Sequence, residues 1–133
     1  LGYNEFKPRA FEAGANWPGV AWSEDDRVIA DIRAAKAAGA DHVIPFMHWG
    51  WEKETQPTER QKALARKMID AGAALVVGGH PHVTQGAEIY QGKPIVYEGK
   101  PETMKAKIRS MLTDLKRQGR VQRGSALGKW KAA

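Results

Sequence analysis

With 133 residues, 42% of them hydrophobic, the chain is long enough for one domain with a core and too apolar for a disordered one. It has no cysteine, which excludes disulfides and thiolate ligands, so any metal must take His, Asp, Glu or Asn donors. The net charge of +6 is lopsided: residues 1–97 hold eleven Lys/Arg against twelve Asp/Glu, and residues 98–133 hold ten against three, so the basic balance is no nucleic-acid signal for the whole chain.

Leu1-Gly2-Tyr3 reads as the end of a strand. Leu1 is not methionine and the chain opens directly into strand-like sequence, so an upstream part is expected; no transmembrane run or signal peptide is visible. Residues 4–22 show no period and contain Pro8, Gly14, Pro18 and Gly19, the pattern of a long loop, with Asn4, Glu5, Lys7 and Arg9 as its polar candidates for binding. Ser23 is placed to cap a helix over 24–38, with Glu24, Asp25 and Asp26 at the positive end of its dipole and Gly39 after its last turn. Val28, Ile29, Ile32 and Ala35 give that helix a narrow apolar stripe.

Residues 42–47 read as a buried strand, weakened by Pro45, which suggests an edge or a bulge. His48 stands at its end, followed by Trp49-Gly50-Trp51-Glu52; the two tryptophans either line a substrate groove or pack against neighbouring elements. Thr58-Glu59-Arg60-Gln61 has the form of a capping box and predicts a helix over 59–71, closed by Gly72. The apolar run 73–77 predicts the next strand, with Gly78-Gly79 as the sharp exit into His80-Pro81-His82. Two β runs, 88–90 and 95–97, flank Gln91-Gly92-Lys93-Pro94 and read as a hairpin. An amphipathic helix is expected over 101–118, with Met104, Ile108, Met111, Leu112 and Leu115 on one stripe, and a loosely packed basic tail over 120–133. Such a helix can bind nucleic acid or an acidic membrane, or dock with its basic face in solvent; the last is preferred, and nucleic acid is not an expected partner.

The order strand, helix, strand, helix, strand implies parallel β-α-β units with right-handed crossovers. Parallel strands end on one edge, so His48 should approach His80 and His82 there, at the edge where open α/β sheets bind ligands. In an extended segment His80 and His82 would point the same way and serve one metal or two adjacent ones. Neutral imidazole suits zinc, iron and manganese, and three histidines suffice for one catalytic zinc. Packing or hydrogen bonding is the alternative role for each ring. A two-metal site needs bridging carboxylates, and no strand end supplies one in this reading: Asp41 precedes its strand and Asp70 ends a helix.

His48-Trp49-Gly50-Trp51-Glu52, Ile69-Asp70-Ala71-Gly72-Ala73, Val76-Val77 with Gly79-His80-Pro81-His82-Val83, Gln85-Gly86 and Gly92-Lys93-Pro94-Ile95-Val96-Tyr97 together resemble the CapA family of poly-γ-glutamate capsule synthesis proteins, which is similar in fold to the calcineurin-like metallophosphoesterases. Asn4-Glu5-Phe6 and Pro18-Gly19-Val20-Ala21 resemble it too, so the likeness covers residues 1–97. It implies an incomplete α/β metallophosphoesterase-like layered domain over 1–97, followed by a basic helix and tail over 98–133. It also implies a centre of two divalent transition metal ions (Zn, Mn or Fe) in which His48 and His80 share one ion and His82 binds the other. His48 and His82 are then the catalytic candidates, and Asn4, Arg9, Trp49 and Glu52 the substrate-binding ones. The implied activity is hydrolysis of a phosphoester or amide in capsule or related envelope-polymer metabolism, at the periplasmic or extracellular face of a bacterial envelope. The substrate would be an anionic polymer or a small molecule, with capsule-synthesis membrane proteins as partners. A non-catalytic polymer-binding role in a capsule assembly is the alternative.

Two departures stand out. The family's Gly-Asp and Asn-Asn-His segments, which would carry the remaining ligands, are absent. The Ile-Val-Tyr strand is followed by Glu98-Gly99-Lys100-Pro101 rather than Ser-Leu-Gly-Asn-Phe, so residues 98–133 inherit nothing from the resemblance.

Overall fold

A computed structural model describes residues 1–99 together with Ala106, Arg109, Ser110, Thr113 and Arg117. The elements are β1 (Gly2–Asn4), α1 (Asp25–Ala37), β2 (Phe46–His48), α2 (Glu59–Asp70), β3 (Val76–Gly79), β4 (Ala87–Tyr90) and β5 (Lys93–Val96), with a short 3₁₀ turn at Arg9–Phe11 inside the first loop. They form one five-stranded sheet in the order β1-β2-β3-β5-β4. β1, β2, β3 and β5 run parallel, and only β4 is antiparallel, against β5. This is the expected α/β architecture of parallel β-α-β units closed by a hairpin. The helix expected over 101–118 and the tail over 120–133 lie mostly outside the described residues.

Each crossover from β1 to β3 steps the same way across the sheet, so right-handed connections put α1 and α2 on one face. Val28 and Ile32 of α1 and Leu64, Ala65, Met68 and Ile69 of α2 are buried there, against Tyr3, Met47, Val76 and Ile95 of the sheet. Side chains alternate across a strand, so the residues between these face the other way. That second face carries Asn4, Phe46, His48 and Gly79, and Phe46 stays 53% exposed on it.

Three local expectations need correction. Ser23 does not cap α1: Glu24 holds the cap position without a side-chain bond, and the Ser23 hydroxyl donates instead to the Glu5 carboxylate. The strand around Pro45 begins only at Phe46, because proline has no N–H for the ladder; Pro45 precedes it, and its carbonyl accepts from Val77 N at 3.1 Å. His48 is the last residue of β2, at the strand end where it was expected. Finally, Gly78 and Gly79 belong to β3 and do not leave it. Gly78 is small for a packing reason: a Cβ there would lie 2.0 Å from the Tyr97 carbonyl oxygen and 2.3 Å from Trp49 Nε1.

The box at Thr58 forms as expected, with the Gln61 amide N–H donating to Thr58 Oγ1 at 3.2 Å and the Thr58 amide N–H to Gln61 Oε1 at 2.9 Å. The β4–β5 hairpin turns at Gln91-Gly92, both with positive φ (49° and 74°), as a two-residue primed turn requires.

Candidate metal centre

The parallel register sets the site. Asn4 pairs with His48, and His48 with Gly79, in one row across β1, β2 and β3 at their carboxyl ends. His80 follows directly, and its ring centroid lies 4.4 Å from that of His48 and 5.7 Å from that of His82. The three histidines therefore do gather at one edge, though not through an extended segment: His80 and His82 both have positive φ (116° and 60°), so the loop curls and brings them round individually.

His80 is 8% exposed, and its Nε2 is buried without a hydrogen-bond partner. Burial first, and then the neighbouring His48 charge, push its pKa below the ordinary 6.5; Glu52 opposes the shift. His48 is pushed down likewise, by burial and then by His82. Both rings are held toward the neutral form that a metal needs. His82 is exposed, with Nε2 3.9 Å from Glu52 Oε1. One donor atom each from Glu52, His80 and His82 lie within 4.8 Å of one another, a spacing that one cation can draw together.

His48 is oriented by Asn4. The Asn4 side-chain amide donates to the Phe6 carbonyl at 2.9 Å, which leaves its Oδ1 facing His48 Nδ1 at 2.7 Å. Oδ1 can only accept, so Nδ1 carries the proton and the lone pair of His48 sits on Nε2. Asn4, expected in the loop as a substrate contact, is thus a β1 residue that touches the His48 ring.

The other candidates fall apart from one another. Trp49 is fully buried, and its indole N–H donates to the Tyr97 carbonyl at 3.2 Å; it is a core residue and cannot line a groove. Arg9 binds Glu12 at 2.7 Å and Glu24 at 2.9 Å, and its guanidinium lies over the Trp22 ring at 4.9 Å, so its charge is engaged within its own loop. Glu52 stands beside the histidines as a potential ligand. That corrects the expectation that no strand end supplies a carboxylate, since Glu52 follows β2 and Glu98 follows β5.

Two loops carry this cluster and are tied together. The Lys53 N–H donates to the Pro81 carbonyl at 2.8 Å. Gln85, 2% exposed, donates from Nε2 to the carbonyls of Glu54 (3.0 Å) and Gln56 (3.3 Å) and accepts at Oε1 from buried Gln61 Nε2 at 3.0 Å. Gln85 and Phe6, whose ring lies 4.2 Å from that of His80, were not identified from the sequence as site residues. The Gln85-Gly86 pair within the resemblance was the only signal for the first. Beside His48, Phe6, Phe11, Val20 and Phe46 wall an apolar groove of about 610 Å³.

A parallel sheet that gathers three histidines and a carboxylate at its carboxyl edge defines an α/β protein with a candidate metal centre. The family described as "Bacterial capsule synthesis protein PGA_cap" matches residues 2–98, and the chain belongs to that family. It is 42% identical over 97 residues to the PGA biosynthesis protein CapA of Bacillus subtilis, covering 73% of this chain and 25% of that protein. It is 41% identical over 95 residues to the capsule biosynthesis protein CapA of Bacillus anthracis, covering 66% and 23%. The chain thus spans about a quarter of the length of the curated relatives it matches.

Proposed function

We propose that the chain contributes His48, His80, His82 and Glu52 to a metal-dependent hydrolytic centre acting on a phosphoester or amide in capsule or related envelope-polymer metabolism. The observation that carries this reading is the buried, unpartnered Nε2 of His80 at the meeting point of two more imidazoles and a carboxylate. A buried polar atom without a partner is costly, and a cation at this point would satisfy it. When bound, a divalent ion such as Zn, Mn or Fe supplies Lewis acidity toward the scissile group and makes water nucleophilic near neutral pH.

The chain's own residues prepare that chemistry. Asn4 holds the His48 tautomer with Nε2 free, burial keeps His48 and His80 neutral, and Glu52 supplies negative charge beside exposed His82. In this reading two ions would be held, His48 and His80 serving one and His82 the other. The names of the relatives support poly-γ-glutamate or a comparable anionic polymer as the substrate. The same reading has the protein work at the outer face of the envelope with capsule-synthesis membrane proteins.

Metal content tests it. The full-length protein, purified without chelator and equilibrated with Zn²⁺, Mn²⁺ or Fe²⁺, is expected to retain stoichiometric metal, and His80→Ala to lose it. Wild-type protein that retains none refutes the hydrolytic reading and leaves polymer binding in its place.

A further inference from the structure

We propose that the Glu98 carboxylate is a further metal donor of this centre, a role that rests on the metal reading above and adds an oxygen ligand from the end of β5. Three observations carry it. The first is position. Val77 of β3 pairs with Val96 of β5, and two residues further along the two strands stand Gly79 and Glu98. Glu98 Oε2 lies 3.8 Å from where a Gly79 Cβ would be, and Gly79 is the register partner of His48. The carboxylate therefore lies over the same sheet face as His48, next to the residue that begins the histidine loop.

The second is want of a partner. Oε2 of Glu98 and Nε2 of His80 are the two buried side-chain polar atoms without a hydrogen bond among the described residues, and they belong to the same edge. A buried carboxylate oxygen without a partner is costly, and a bound cation would satisfy Oε2.

The third is anchoring. The Glu98 carbonyl accepts from Gln85 N at 3.2 Å, and the Tyr97 N–H donates to the Gly86 carbonyl at 3.2 Å. Glu98 is thus fastened to the end of the loop that carries His80 and His82. A carboxylate oxygen added to imidazole nitrogens would complete a donor set suited to zinc, manganese or iron.

The test uses the full chain, stripped of metal by chelator and titrated calorimetrically with Zn²⁺ as wild type, Glu98→Gln and His80→Ala. Glu98→Gln is expected to bind at least about tenfold more weakly. Metal-free melting separates ligation from folding: removing an unpaired buried charge should leave the metal-free variant melting no lower than wild type, while the rise on adding Zn²⁺ shrinks. Wild-type affinity in Glu98→Gln beside lost binding in His80→Ala overturns the role of Glu98 and leaves the metal centre standing. Absence of binding by wild type overturns both.

Discussion

Gln85→Leu should weaken metal binding from a residue that reaches no metal. Its two polar ends hold different pieces of the centre. Oε1 accepts from Gln61 Nε2, and Nε2 donates to the Glu54 and Gln56 carbonyls just beyond Glu52. Leucine fills a similar volume and offers neither end. Gln61 is wholly buried, so its freed Nε2 donor has no water to turn to and costs about 1–3 kcal/mol. Glu54 and Gln56 are exposed, and their carbonyls can be solvated, so they add little. A loss near 2 kcal/mol in a domain of this size lowers the melting temperature by roughly 8 °C. Released from Gln85, the segment carrying Glu52 loses its register against His80 and His82, and outer-shell losses of this kind reduce metal affinity roughly 10–100-fold.

Calorimetric titration with Zn²⁺ and a thermal melt without metal read the two effects separately. A variant that melts as predicted but binds metal as wild type would show that Gln85 supports the fold and does not position Glu52. A variant unchanged in both would refute the buried relay itself.

Three further outcomes follow from the same geometry. Asn4→Leu removes the acceptor that fixes His48 Nδ1–H, so Zn²⁺ affinity should fall roughly 10–100-fold while the melt changes by only a few degrees. Gly78→Ala drives a methyl into the Tyr97 carbonyl and the Trp49 indole, both in the core, and should destabilise the domain by about 3 kcal/mol or more in urea titrations. Glu88 is held below its ordinary carboxylate range first by the Arg66 guanidinium and also by the Tyr97 hydroxyl, against the opposing pull of burial. A depressed pKa contributes stability above the unfolded value of about 4.5 that is lost as pH falls through the folded one. Urea midpoints of wild type should therefore drop below about pH 4.5, and those of Glu88→Gln should drop less, by about 1 kcal/mol.

The frame of this protein was legible because it depends on short-range chemistry. A capping box needs only Thr58 and Gln61 three residues apart, and a primed turn only Gln91-Gly92 between β runs. Parallel order then predicted that His48 would meet His80 and His82, since topology alone puts their strand ends on one edge. What failed was whatever depends on closure between loops. Ser23 looked like a cap until Glu5, eighteen residues earlier in the chain, took its hydroxyl. Trp49 and Trp51 look alike in sequence, yet Gly78 makes room for the first beneath the sheet edge, while the second is left 68% exposed. Glu52 and Glu98 were passed over as carboxylates at this edge for the same reason. Glu52 follows His48 by four residues in an aperiodic segment and Glu98 follows a strand far from any histidine, and the Lys53–Pro81 and Gln85–Glu98 backbone bonds tie their loops to the edge. The histidines mark where the centre is, and the backbone bonds between the loops decide which carboxylates can serve it.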